Sequence, residues 1–248
     1  MGIEERFDDT IKILCKEIRK IVPLIFEQQD QKSYNAEIIK KSNGEEYPIS
    51  AVVWYYEPLS LPKIAHELYH VKTGLILGDI SIMVPGPSND YYTKKLLNHR
   101  FCQEMLNQTE HCIFYPYYKA HGYPAEEFYE VINPEPYFDI LAEIEKKGIK
   151  RPDGKFVFQN VMDYLKLIVL FLFFPIDSRF SNQIRRLKHI DTDLFSIFKI
   201  FKNTITGLAI IPNNREILQT AYASLLTSID DWSLKHEFDS LPFVSNLF

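Results

Sequence analysis

The chain has no surplus of positive charge: 28 Lys and Arg stand against 33 Asp and Glu, for a net charge of −5 and a pI near 5.8. A general nucleic-acid or anionic-membrane binder presents a basic stripe, so neither partner is expected. The single dense basic run, Arg185-Arg186-Leu187-Lys188-His189, reads as a solvated helix end. Disulfide chemistry is also missing. Cys15, Cys102 and Cys112 are odd in number and form no CxxC pair, which fits reduced thiols in a cytoplasmic protein. The most apolar run, Leu165–Phe174, is ten residues long with Lys166 inside it and Pro175 after it. A bilayer needs about 20 apolar residues, so this run predicts a core helix. Met1-Gly2-Ile3-Glu4-Glu5 is acidic and lacks the basic-then-apolar order of a secretion signal. Arg6 stands where N-myristoylation needs Ser or Thr. No internal repeat or low-complexity tract is visible.

What is present is a chain with 46% hydrophobic residues, enough for a substantial core, and an aromatic share of 14%, which suggests aromatic-lined cores or grooves. Apolar positions in residues 3–28 recur at three- and four-residue spacings and predict a helix. Two β-prone runs flank Ser42-Asn43-Gly44, a strong hairpin signal, and Ala51–Tyr56 should be a strand. Ser60, Leu61 and Pro62 read as a helix start, with Gly74 as its stop. Residues 85–90 read as a loop, and Tyr92 to Phe114 as a second helix closed by Pro116. Pro124 to Pro136 reads as a surface segment, and 157–174, 192–206 and 214–235 as three helices. The fold class is therefore α+β: a small sheet with site-bearing helices in residues 1–145, then a mainly helical region in 155–248. The charged segment 145–154 is the best boundary, though both parts can share one core.

The helix predicted from Ser60 to Gly74 carries His66-Glu67-Leu68-Tyr69-His70. Residues i and i+4 share a helix face, so both imidazoles can reach one zinc ion while Glu67 sits at its open side. Zinc lowers the pKa of a bound water, and a glutamate so placed accepts its proton as the water attacks a carbonyl. Ala65, Leu68, Tyr69 and Val71 are uncharged, as a helix packed beneath a cleft requires. A third ligand is expected from the second helix, whose candidates are His99, Glu104, Glu110 and His111. Leu97, Phe101, Met105 and Cys112 form its apolar stripe, with Glu104, Asn107 and His111 along one edge. Helical phase favours His111, then Glu104, and departures from ideal geometry before Pro116 would bring in Glu110. Tyr115, His121 and Tyr123 follow this helix, and Tyr123 is the candidate for stabilising an oxyanion. Asn107 is a candidate for orienting a ligand.

HELYHVKTG, with a strand before it and a helix bearing NQTEHCIFYPYYKAHGY after it, resembles the zincin metalloproteases, and among them the compact bacterial ImmA/IrrE-type regulatory proteases. The resemblance covers roughly residues 35–125 and is specific at the five-residue core. It implies a zincin-like sheet with active-site helices, zinc on His66 and His70, and Glu67 as general base. It also implies a glutamate as third ligand, which would favour Glu110 or Glu104 over His111. The longer metzincin pattern HExxHxxGxxH is absent, since Gly74 and Leu77 do not fit it. Peptide deformylase needs a cysteine ligand in a setting that Cys15 lacks.

The expected function is a cytoplasmic zinc-dependent peptidase of narrow specificity, acting on a protein or peptide substrate. The helical C-terminal half is a possible surface for a protein partner. The alternative from another class is a non-catalytic zincin-like interaction protein whose helical half binds its partner; retention of Glu67 counts against it, because structural zinc needs no base. A zinc amidase acting on a small molecule is the third possibility.

Overall fold

The computed structural model describes residues 2–40, 48–78, 91–128, 135–174 and 180–239. It is an α+β protein with ten α-helices and one three-stranded mixed sheet among the described residues. The chain divides into two compact units, each discontinuous in sequence: 1–80, 113–132 and 208–216 form the first, and 81–112, 133–207 and 217–248 the second. The division does not follow the charged segment 145–154.

In the first unit, α1 (Asp9–Arg19) is capped by Asp8, whose side chain accepts from Ile11 N at 2.8 Å. The helix expected over 3–28 ends at Arg19, and Leu24–Gln28 is instead strand β1. Pro23 explains the correction, because it has no N–H to donate and pushes the residue before it out of the helical region. β2 (Asn35–Lys40) and β3 (Pro48–Tyr55) pair antiparallel, and β1 pairs parallel with β3, giving the order β1-β3-β2. The expected turn at Asn43-Gly44 lies outside the described residues.

α2 (Leu61–Leu77) opens as its sequence predicts, with Ser60 Oγ accepting from Lys63 N and Pro62 in the first turn. It does not stop at Gly74. That glycine lies inside the helix and lets it approach the sheet closely, since a Cβ there would sit 2.8 Å from Ile38 Cδ1 of β2. The helix ends at Gly78, with φ 84° and ψ 165°, a conformation open to glycine and costly for other residues. Ile64, Ala65, Leu68 and Val71 of α2, Ile11 and Ile18 of α1, and Ala51 and Val53 of β3 are buried in this unit's core. Lys72 of α2 pairs with Glu17 of α1 at 2.7 Å.

The second predicted helix is two. α3 (Tyr91–Leu96) breaks where Asn98 accepts from Phe101 N at 3.0 Å, and α4 begins anew as His99–Ala120. Pro116 lies inside α4 rather than closing it. A proline inside a helix costs about 3 kcal/mol; burial of Phe114 and Tyr115 before it, and of Tyr118 after it, offsets that cost. The segment read as surface between Pro124 and Pro136 contains a short helix, α5 (Ala125–Phe128), and Phe128 is buried.

The second unit is helical. Its centre is α7 (Phe158–Leu172), the predicted core helix, which packs with α6 (Glu135–Lys147), α8 (Ser181–Ile190) and α9 (Thr192–Ile205). Lys166 keeps a half-exposed head beside Asp163 at 3.1 Å. α10 (Asn214–Leu234) closes the series, and its Tyr222 donates to Thr109 Oγ1 of α4 at 2.6 Å. The basic run falls on α8, where Arg185, Lys188 and His189 are exposed and Arg186 pairs with Glu145. Among the described residues no helix is long and apolar enough to cross a membrane.

Gly78 supplies the test of this packing. A Cβ added there would lie 2.7–2.9 Å from the Arg215 guanidinium and would hold a strained backbone. Gly78→Ala is expected to cost about 1–3 kcal/mol in urea unfolding. Gly74→Ala, which meets only the movable end of Ile38, should cost less.

Candidate metal centre

The two motif histidines stand one helical turn apart on α2, and the structure turns both toward α4. His66 Nε2 and His70 Nε2 are 3.1 Å apart. His111 of α4 joins them, so that one ligand nitrogen from each of the three lies within 4.8 Å of the others. Bonds of about 2.0–2.1 Å to a tetrahedral ion would place ligand nitrogens roughly 3.3–3.4 Å apart. The motif pair is already near that spacing, and the His111 nitrogen, within 4.8 Å of both, would have to close by up to about 1.4 Å. Three neutral imidazoles suit zinc, copper, iron or nickel rather than magnesium or calcium. His66, His70 and His111 therefore form a group able to hold a metal ion.

The rings around this group are aromatic. His66 meets Phe128 at 4.5 Å between centroids, Phe114 at 5.4 Å and Tyr118 at 6.4 Å, each near edge-on. His70 meets Phe114 at 4.8 Å and 81°. Such walls give an imidazolium nothing to exchange for water. Burial, with the neighbouring His70 as the smaller cause, holds His66 well below the ordinary histidine range. The neutral ring that metal ligation requires is thus the resting form. The two ring nitrogens face each other at 3.1 Å, a spacing that one metal ion could bridge.

The α5 segment closes over the start of α2. Ser60 Oγ donates to Glu127 Oε2 at 3.0 Å, which places the next residue, Phe128, against His66. Glu67, beside His66, is half-buried. Tyr69, between the two histidines in sequence, faces elsewhere. Its ring stacks on Phe114 at 5.5 Å, and its hydroxyl meets His121 Nδ1 at 2.5 Å.

The remaining candidates are not in the metal-binding group. Glu104 and Glu110 lie on α4 and are half-buried, His99 is exposed at its start, and Asn107 is exposed. Tyr123, read as an oxyanion donor, directs its hydroxyl to Asp8 Oδ1 and Oδ2 at 3.0 and 2.8 Å, at the cap of α1. Burial, followed by that hydrogen bond, pushes its pKa up. Tyr115 is buried against Phe128 at 4.9 Å. The aromatic share pointed to aromatic linings in general, but sequence reasoning did not assign them to these rings. Phe114 and Tyr118 follow His111 at three and seven residues, a spacing that puts all three on one side of α4, and this was the available signal.

Two measurements follow. His66 stays neutral when folded but takes a proton when unfolded below about pH 6.5, so the unfolded state binds more protons there. Metal-free protein should therefore lose stability as pH falls below about 6.5, by up to about 1.4 kcal/mol per unit, and His66→Gln should flatten that slope. Tyr123→Phe should lower stability by about 1–3 kcal/mol in denaturant titration while leaving metal stoichiometry unchanged. The chain matches no known protein family, no curated protein and no solved structure, and what it does has to follow from the chemistry of the cluster itself.

Proposed function

We propose that the protein is a zinc-dependent hydrolase, a peptidase of narrow specificity acting in the cytoplasm on a protein or peptide substrate. The observation that carries the reading is the meeting of His66, His70 and His111 within 4.8 Å, with Glu67 adjacent to His66 on the same helix. Three protein ligands leave a tetrahedral ion one open position, the arrangement of catalytic rather than structural zinc. When bound, zinc would supply Lewis acidity, polarising a carbonyl and acidifying water at that position.

The chain's own residues divide the remaining work. His66, His70 and His111 hold the ion and fix its orientation through the packing of α2 and α4. Their donor set is neutral, so the ion's charge is less compensated than with a glutamate third ligand. Glu67 accepts a proton from the attacking water and returns it to the departing amine nitrogen. The aromatic walls of Phe114, Tyr118 and Phe128 exclude water behind the ligands and strengthen the electrostatics in front of them. The resemblance of HELYH to the zincin motif supports the same roles for His66, Glu67 and His70, while the geometry favours His111 over a carboxylate as third ligand.

Metal analysis of purified protein tests this. About one zinc per chain is expected, retained in Glu67→Gln, Glu104→Gln and Glu110→Gln. Alanine at His66, His70 or His111 should weaken binding by more than about a hundredfold. Glu67→Gln should cost about 10²–10⁴ in cleavage of a co-expressed partner protein. A metal-free protein after gentle purification sinks the reading. Full zinc loading with cleavage unaffected by Glu67→Gln removes the catalytic part.

A further inference from the structure

The last turns of α6 and α8, with the chain just after α6, enclose a pocket of about 340 Å³ that is open to solvent. All of its lining belongs to the second unit. Its size falls at the lower end for small-molecule sites, about 300–1,000 Å³. Part of the wall is apolar: Ile144 and Ile149 are buried, and Ile190 is half-buried. Gly148, at φ 72°, turns the chain sharply after α6 and so brings Ile149 and Lys150 to this wall. That turn is pinned, since Asn160 Nδ2 donates to Gly148 O at 2.7 Å and Val157 N to Ile149 O at 2.8 Å.

The hydrogen-bonding groups of the lining are unevenly spent. Gly148 O and Ile149 O are engaged by the bonds just described. Glu145 is engaged as well, because Arg186 Nε donates to its Oε1 at 2.7 Å and Arg186 Nη2 to its Oε2. That pair holds the Glu145 carboxyl below the ordinary carboxylate range and fixes the guanidinium at the pocket. Donors are left over. Arg186 has five N–H groups, and Glu145 takes two of them. Lys150 and His189 are exposed, and among the described residues neither side chain has a hydrogen bond or an ion pair within 4 Å. The Lys150 ammonium stands 4.5 Å over the Phe156 ring, which steadies its charge and leaves its N–H groups for an acceptor. A ligand suited to this lining therefore brings acceptors and negative charge, together with an apolar body for the isoleucines. The carbonyl ends of α6 and α8 temper the positive charge here, so a single negative charge fits better than a phosphate dianion.

We propose that this pocket binds a small apolar carboxylate, its charge met by Lys150 and His189 beside Arg186 and its apolar body lying against Ile144, Ile149 and Ile190. A free branched-chain acid and the C-terminal residue of a peptide both offer that chemistry. The pocket shares no residue with the His66, His70 and His111 group, and the proposal does not rest on the hydrolase reading.

The test uses full-length protein and ligand-detected NMR titration with 4-methylpentanoate and its uncharged amide, 4-methylpentanamide. The acid is expected to bind about tenfold or more tighter than the amide. Lys150→Met and His189→Gln, both at exposed positions, should each cut that preference severalfold while leaving amide binding and the thermal midpoint unchanged. Lys188→Met removes the same charge from α8 outside the lining and should leave the preference intact. N-acetylleucine that binds tighter than 4-methylpentanoate supports a peptide terminus as the ligand, and equal or weaker binding supports a free acid. Equal affinity for acid and amide overturns the proposal, as does the absence of binding by either acid at millimolar concentration. A loss in Lys188→Met as large as in Lys150→Met reduces the preference to general surface charge and overturns it too. Inorganic phosphate that competes as well as 4-methylpentanoate has the same consequence.

Discussion

Two imidazole nitrogens held 3.1 Å apart in a largely aromatic setting are the constraint on which the site depends. In water such a pair would drift apart or protonate. Here the helix fixes the spacing, because four residues return a side chain to the same face. The aromatic rings then remove the protonated alternative, which holds His66 neutral. What remains is a pair of nitrogen donors that can share one metal ion, with His111 brought within reach as the third. An ion bound by all three would gain from both conditions, since it needs neutral ligands and a preset spacing.

The surrounding fold can be read as a support for that pair. Gly74 lets α2 lie close on β2, where any side chain would press on Ile38. Ser60 caps the helix start and also ties in Glu127, so the same hydroxyl that begins α2 holds Phe128 against His66. Tyr123 secures the stretch after α4 to the cap of α1. α4 stays helical through Pro116, carrying Phe114 and Tyr118 on the side of the histidines. Each is a modest interaction of about 1–3 kcal/mol. Together they restrict where His66 and His70 can point.

The centre was legible where its signals were local. Ser60, Pro62 and the four-residue spacing of His66 and His70 placed the motif on a helix, and helical phase placed His111 ahead of Glu110. The edge of the sheet was not legible, because Leu24–Gln28 continues the apolar spacing of α1 and only Pro23 marks the change. Gly74 misled for a related reason: a glycine can end a helix or admit a neighbour, and only the position of Ile38 distinguishes these. Phe128 lay in an acidic, proline-bearing stretch whose composition reads as surface, and its burial depends on Ser60, far away in sequence. Contacts between distant segments decided each of these, and periodicity carries no information about them.

The central claim is that His66, His70 and His111 hold one zinc ion with a position left open for water. X-ray absorption at the zinc edge measures this directly. Zinc-loaded protein is predicted to show three imidazole nitrogens at about 2.0–2.1 Å and one further oxygen in a four-coordinate shell, with one imidazole lost from the spectrum of His111→Ala. Two imidazoles with a carboxylate, unchanged in His111→Ala, or a closed shell with no exchangeable oxygen, would contradict it.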